Sequence, residues 1–391
     1  MPFTNMSVIV DSQLFSYQDH VGPFNKENYF IQKVPESSSV PIGSEKRLIS
    51  TSSSQGFGNQ LSFLLGQSDF VGNMYATVKL TYPSAVVGPK APAMAVIKRV
   101  EVIGSTGNLM DYSYDVVSSH LGQARGAYFL RNMLENAGGE TPASATVHEG
   151  CALLPMAWSS WVTQEPRHAL LPAFLVNGPI EVRITLRSAA ELEISGTAPS
   201  AVEVNLIYNS LMTIASLKQD LMALPSFILY LKDWQTSTNQ AVTTSETNHD
   251  ISQFQGTLRN LTLKSQQDSV IAAADFYTCN PITSYKINAG NQLIHQTFKA
   301  GKYEVQTDSL LLGAHDGSHT VPHDEVGTGT NTQSLVGPSE SLDFSGGLNL
   351  RQVRSASVDV ICEDASSTMS ILGEVSCIYS FKNRSVQRFY N

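Results

Sequence analysis

The sequence predicts an all-β protein built as two similar halves, and three observations lead there. A strand–turn phrase occurs twice, β-prone runs of strand length are spaced by turn residues along the chain, and regular helix is scarce. Val100-Glu-Val-Ile-Gly-Ser-Thr-Gly-Asn-Leu-Met-Asp111 reads as a strand, a tight turn and a resumed apolar stretch. Ser284-Tyr-Lys-Ile-Asn-Ala-Gly-Asn-Gln-Leu-Ile-His295 repeats that grammar, with Gly107-Asn108 answered by Gly290-Asn291. Gly and Asn tolerate the backbone angles such turns require. A phrase recurring at half the chain length indicates two tandem copies of one fold.

A chain of 391 residues exceeds one ordinary core and suits two domains. Charged residues make up only 15%, against roughly 25% in a typical soluble protein, and Ser, Thr, Asn and Gln fill the difference. A net charge of −9 argues against specific nucleic-acid recognition, which calls for a basic face. Cys151, Cys279, Cys362 and Cys377 show neither C-x-x-C nor zinc spacing and read as reduced thiols buried in strands. No basic-then-apolar signal segment opens the chain, and no apolar run approaches the roughly 18 residues of a spanning helix.

Residues 1–45 hold short apolar patches broken by Pro2, Gly22-Pro23, Pro35 and Ser37-Ser-Ser39, the pattern of an extended arm. From Lys46 onward the pattern changes. Arg47–Thr51, Gln60–Leu65 and Met74–Tyr82 are strands; the last alternates, with Ala76, Val78, Leu80 and Tyr82 on the apolar face. One helix is expected within Asp115–Asn136, with Val117, Leu121, Ala124, Tyr128 and Leu134 on one stripe and Gly138-Gly139 as its stop. Ala169–Val176 is an apolar run of strand length. Strands resume at Ile180–Leu186 and Ala201–Tyr208, and Ser216–Pro225 reads as a helical or turn linker.

The second half runs through Phe227–Trp234, Thr257–Lys264, Ser269–Thr278, Ser284–Ile287, Ala356–Ile361 and Met369–Phe381. The expected division is an arm at 1–45, a first unit at 46–216, a linker at 217–225 and a second unit at 226–391. Long crossovers between strands favour two tandem antiparallel eight-stranded jelly rolls, a double jelly roll with a few short helices, over barrels. A doubly wound α/β fold would need a helix after most strands.

Catalytic signatures are missing from the sequence. Gly301-Lys302 is followed by Tyr303, so no phosphate-cradling loop forms, and neither G-x-S-x-G nor H-E-x-x-H occurs. His315, His319 and His323, with Asp316, Asp324 and Glu325 beside them, have a spacing that could hold a divalent ion on a helix. Gly317 and Pro322 oppose a helix there, so these read as solvated loop histidines; no catalytic, cofactor or metal residue is assigned. Lys382, Arg384 and Arg388 gather basic charge at the C-terminus, either as a patch for anionic lipid or packaged genome or as solvated cations on a last strand. Asn260-Leu-Thr and Asn383-Arg-Ser match the glycan sequon by coincidence. Trp158, Trp161 and Trp234 could form a sugar platform, though core packing is the commoner use.

The run Gly337-Pro-Ser-Glu-Ser-Leu-Asp-Phe-Ser345-Gly346-Gly347-Leu348-Asn349, continuing into the alternating stretch to Val360, resembles a late segment of double jelly-roll major capsid proteins of icosahedral DNA viruses and virophages. Ser345, Gly346 and Asn349 match that segment, while Arg351 and Gln352 stand where the family shows Ser and Arg. Asn59–Phe63 with Asp69–Leu80, Val96–Gly104 with Asp111 and the Asp115 helix, Tyr230–Gln235, and Ile378–Asn383 are similar to further family segments in the same order, covering residues 45–391. The resemblance implies a structural, non-enzymatic protein of the virion, made in the host cell. It implies homotrimers of pseudo-hexagonal outline tiling an icosahedral shell, with neighbouring capsomers and minor capsid proteins as partners. An inner lipid membrane or the packaged genome would lie near the basic C-terminus. Asn136–His148 and Gly313–Pro338 would be outward tower loops, and the arm at 1–45 would order on neighbouring subunits or the membrane. The alternatives are a carbohydrate-binding β-sandwich of lectin or fibre type, a minor or vertex shell component, and a hydrolase using the His315–Glu325 cluster.

Overall fold

The computed structural model describes residues 43–50, 55–89, 91–125, 144–159, 170–213, 215–224, 227–267, 280–297, 330–335, 347–353, 355–363, 367–382 and 385–390. In the first half the strands are β1 (Gly43–Ser50), β2 (Gln60–Leu64), β3 (Phe70–Val87), β4 (Ile97–Gly104), β5 (Gly107–Ser113), β6 (Ser144–Leu154), β7 (Leu171–Pro172), β8 (Glu181–Leu186) and β9 (Ala201–Met212). The second half holds β10 (Phe227–Val242), β11 (Thr247–Asp250), β12 (Thr257–Gln267), β13 (Ile282–Ala289), β14 (Gln292–Gln296), β15 (Thr330–Ser334), β16 (Leu348–Asn349), β17 (Ala356–Cys362), β18 (Ser367–Lys382) and β19 (Ser385–Tyr390). Helices α1 (Pro92–Val96), α2 (Tyr114–Arg125) and α3 (Ala215–Ala223) complete the described elements.

The sheets repeat one wiring diagram. In the first half they run β1-β9-β3-β6 and β2-β8-β4-β5; in the second, β10-β18-β12-β15 and β11-β17-β13-β14. The correspondence is strand for strand: β1 with β10, β2 with β11, β3 with β12, β4 with β13, β5 with β14, β6 with β15, β8 with β17 and β9 with β18. All named pairings are antiparallel. Each half is thus a jelly roll of two facing four-stranded sheets, with β7, β16 and β19 as additions.

Period-two patterning produces these strands. In β3, Ala76, Val78, Leu80 and Tyr82 are buried while Tyr75, Thr77, Lys79 and Thr81 are not, because successive side chains leave opposite faces of a pleated strand. β18 breaks the alternation, with every residue from Ile371 to Cys377 buried. Both of its faces are covered. Met369, Ile371 and Val375 enter the second half's core, while Leu372, Cys377 and Tyr379 join the cluster that fills the first.

The repeated phrase is a repeated hairpin, with its register shifted from the sequence correspondence. Gly104 pairs with Gly107 and Ala289 with Gln292, so Ser105-Thr106 and Gly290-Asn291 are the equivalent two-residue turns. Gly290 therefore matches Ser105 rather than Gly107. Two Gly-Asn pairs placed near one turn made the slip invisible in the sequence. Gly290 has φ +62°, the left-handed conformation that glycine adopts without penalty. Beyond each turn the ladder skips one residue: Leu109 in the first hairpin and Ile294 in the second are matching bulges.

Several expectations change. β1 begins at Gly43, so the last residues assigned to the arm already pair with β9. Among the described residues of the Ala169–Val176 run, the elements are the two residues of β7 and a 3-10 turn at Ala173–Leu175, because Pro172 interrupts the strand. Ser144–His148, given to a tower loop, belongs to β6, and Thr330–Ser334, given to the other, is β15. The helix is described over Tyr114–Arg125; its expected continuation, the Ser269–Thr278 strand, Cys279, Trp161 and most of the arm lie outside the described residues.

Candidate functional site

The candidate functional feature of the molecule is the seam where the two rolls meet. α2 and β5 of the first roll lie against β10, β12 and β18 of the second. Tyr114 and Asp115 start α2 directly after β5, so a single helix carries both Asp115 and His120 into the seam. Asp115 stands in the first turn, where the helix dipole favours an acid.

Three polar clusters fasten the seam. In the first, His120 places Nε2 3.0 Å from Glu374 Oε2 and Nδ1 2.7 Å from Thr262 Oγ1. Asn260 Nδ2 donates to Glu374 Oε1 at 2.8 Å, and Lys232 Nζ lies 3.1 Å from the same oxygen. Burial would raise the Glu374 pKa, but Lys232 and His120 outweigh it and hold the carboxyl well below its ordinary range.

In the second cluster, Lys264 Nζ lies 3.0 Å and Arg187 Nη2 3.5 Å from the Asp115 carboxylate. Arg187 Nε also donates to the Ala95 carbonyl at 2.9 Å. Burial opposes ionisation of Asp115, yet the two cations lower its pKa. The Lys264 side chain is 1% exposed, and burying an ammonium at such depth is costly unless it is paired, as it is here with Asp115.

The third cluster lies where β19 and β10 meet the first hairpin. Tyr379 Oη and Arg388 Nη1 both donate to the carbonyl of Leu109, the bulge residue of the first hairpin. Asp233 accepts from Tyr390 Oη at 2.7 Å and pairs with Arg388 at 3.3 Å. Burial raises the Asp233 pKa and Arg388 only partly offsets it. Trp234 meets Tyr112 edge to face at 5.7 Å across the seam. A cleft of about 750 Å³ opens beside these groups, lined by Arg99, Asp111, Glu191, Asp233, Trp234 and Arg388.

The seam absorbs residues given other roles by the sequence. Arg388 of the basic C-terminal group is engaged by Asp233, Leu109 and the face of Tyr390, while Lys382 remains exposed. Trp158 and Trp234 are buried, so they form no sugar platform. Asn260 of the first sequon is buried against Glu374, closed to a glycan. Cys151, Cys362 and Cys377 are free thiols in strands, the last two buried. His315, His319 and His323 lie outside the described residues, and among the described residues no group of three or more His, Cys, Asp or Glu could hold a metal ion. The seam itself was not foreseen. The signal available was the unusual density of Lys, Asn, Thr and Gln within Thr257–Gln267, a strand otherwise patterned for burial.

No family model matches the sequence, and no curated protein does. Solved structures do match. The PBCV-1 capsid protein VP54, in a crystal structure fitted into a reconstruction of the virophage Sputnik, is similar with TM-score 0.70 at 13% identity, over 90% of this chain and 98% of that chain. The Faustovirus major capsid protein is similar with TM-score 0.63 at 9% identity, over 98% of each chain. The mavirus major capsid protein is similar with TM-score 0.53 at 9% identity, over 96% of this chain and 94% of that chain. The chain has the double jelly-roll fold of these viral capsid proteins, along nearly its full length and theirs.

Proposed function

We propose that the protein is a structural shell subunit, a major capsid protein whose copies form pseudo-hexagonal homotrimers tiling an icosahedral DNA-virus capsid. The observation that carries this reading is the duplication of one eight-strand wiring diagram, joined by a buried polar seam. Two similar rolls fixed side by side let three copies approximate six-fold packing, which separately tumbling rolls could not do. Similarity to three viral capsid proteins over nearly whole chains supports the same reading.

α3 begins at Ala215, two residues before the 217–225 connection, and β1 carries the first roll back to Gly43. The division into two rolls joined by a connection near 217–225 belongs to this proposal. So do contacts with minor capsid proteins and with an inner lipid layer or packaged genome near the C-terminus. For the last of these, exposed Lys382 supplies charge, whereas Arg388 is committed to the seam. The role is mechanical rather than catalytic, and its place is the virion. Light scattering on the eluted full chain should give the mass of a trimer, and electron microscopy should show hexagonal particles. A monomer at high concentration overturns the proposal.

A further inference from the structure

The cleft between the rolls has a hydrogen-bonding imbalance. Its acids are engaged. Both oxygens of Asp111 accept from Arg99, through Nε at 2.6 Å and through Nη2. Glu191 accepts from Lys98 Nζ at 3.0 Å on one oxygen and from the amide and hydroxyl of Ser188 on the other. Asp233 accepts from Tyr390 and the Trp234 backbone and pairs with Arg388.

Its donors are only partly engaged. A guanidinium carries five N–H groups and an ammonium three. Arg99 meets Asp111 and Glu101 through Nε and Nη2, which leaves Nη1 without a hydrogen bond. Lys98 reaches Glu191 alone. Arg388 uses Nη1 for both Asp233 and the Leu109 carbonyl, so its Nε and Nη2 are uncommitted. Trp234 lines the same cleft, and its buried Nε1 has no hydrogen-bond partner. A buried donor of this kind is rare in folded proteins and calls for an acceptor.

Exposure points the same way. The Lys98 and Arg99 side chains are each 50% exposed, against 31% for Glu191, 29% for Asp111 and 4% for Asp233. The accessible lining is therefore cationic and rich in N–H groups, although the cleft as a whole holds three cations and three acids. Lys98 and Arg99 belong to β4 of the first roll and Arg388 to β19 of the second, so both rolls contribute donors. A volume of about 750 Å³ suits a small molecule better than a single ion. The net charge of −9 opposes an extended polyanion such as nucleic acid, and a compact one meets less of that repulsion.

We propose that this cleft binds a small molecule carrying two or more phosphate or carboxylate groups, held between Lys98 and Arg99 on one roll and Arg388 on the other. Planar guanidinium groups with free N–H positions match the paired oxygens of either anion. A ligand that touches both rolls also braces the seam, because it binds only the docked arrangement.

The probes are tripolyphosphate and citrate, titrated calorimetrically into the full chain at about 0.15 M salt, where loose surface attraction is screened. One saturable site per chain is expected, with a melting temperature that climbs as ligand concentration rises. Arg99→Gln and Lys98→Gln should each weaken binding about ten-fold or more, as loss of a charge-assisted hydrogen bond does. Asp111→Asn should tighten it, by loosening the hold on Arg99 and removing a charge of the ligand's own sign. Lys79→Gln removes a similarly exposed cation on β3, outside the cleft, and should change nothing. Preference for tripolyphosphate assigns a phosphate ligand, and preference for citrate a polycarboxylate. Should Arg99→Gln fail to fold, Arg99→Lys keeps the charge without the planar fork, and binding should fall there too. Absence of saturable binding by both probes, or equal weakening by Lys79→Gln, overturns the site. So does tighter binding, per phosphate, of a short oligonucleotide, which would assign the cleft to nucleic acid. A monomeric wild type would overturn the shell-subunit reading and leave this one standing.

Discussion

His120 and Glu374 meet at 3.0 Å with both side chains almost fully buried, although 254 residues separate them in the chain. One comes from the helix of the first roll and the other from the central strand of the second, so the contact exists only when both rolls are folded and docked. With Lys232, Asn260 and Thr262 it forms a closed network in which the carboxylate accepts from three directions.

Removing one member should cost more than the pair contributes, because a buried partner is left uncompensated. Glu374→Ala is expected to destabilise the chain by about 3–5 kcal/mol, seen as a lower urea midpoint. The joint replacement Lys232→Met/Glu374→Leu should cost much less than the single change. Equal losses for the two variants would show that the ion pair itself, rather than an orphaned charge, sets the energy.

Acid should loosen the seam. Asp115 and Glu374 both ionise more readily in the fold than in the unfolded chain, where their ordinary values are 3.8 and 4.5. A lowered pKa in the folded state contributes stability above the unfolded value and loses it as pH falls through the folded one. Asp233 is shifted upward by burial, so its protonation on acidification favours the fold and partly offsets the loss. Net stability should therefore fall below about pH 4.5, and Glu374→Gln should flatten that slope, as measured by chemical denaturation across a pH series.

The motif around residue 347 has a steric reason. Gly347 has φ +107°, and a Cβ there would sit 2.6 Å from the Leu258 carbonyl oxygen. The chain must pass this close so that β16 can pair Leu348 with Leu258 on β12. Gly347→Ala is expected to cost about 1–3 kcal/mol through backbone strain, with the surrounding sheet pushed away from β12. A thermal melt equal to wild type would mean the segment finds another path.

Strand patterning was legible because alternation is local: Ala76, Val78, Leu80 and Tyr82 announce their buried face within nine residues. The duplication was legible because turns demand particular residues, as Gly290 shows. Its register was not, since Gly107-Asn108 follows the turn in the first hairpin whereas Gly290-Asn291 forms it in the second, and the bulges at Leu109 and Ile294 are invisible in sequence. The seam was hidden for a different reason. Asp115, His120, Lys264 and Glu374 look like ordinary solvated residues until distant strands bring them together, and only tertiary proximity turns scattered charges into a network. Arg388 shows the same limit, a surface cation by composition and an internal tether by position.

That tether yields a sharp double-mutant test. Arg388 neutralises Asp233, which is 4% exposed, and joins β19 to the Leu109 carbonyl across the seam. Arg388→Met leaves Asp233 with only the hydrogen bonds of Tyr390 and the Trp234 backbone against its desolvation, and should cost about 3 kcal/mol. Burial already raises the Asp233 pKa, so without the cation it should climb further, and the loss should shrink as pH falls toward protonation of the carboxyl. Asp233→Asn in the same background should recover part of the stability at neutral pH, because the neutral amide can still accept from Tyr390 Oη. Urea midpoints for the wild type, both single variants and the double variant measure the coupling directly. Strict additivity would mean that Arg388 acts through packing on Tyr390, with the charge on Asp233 making no difference.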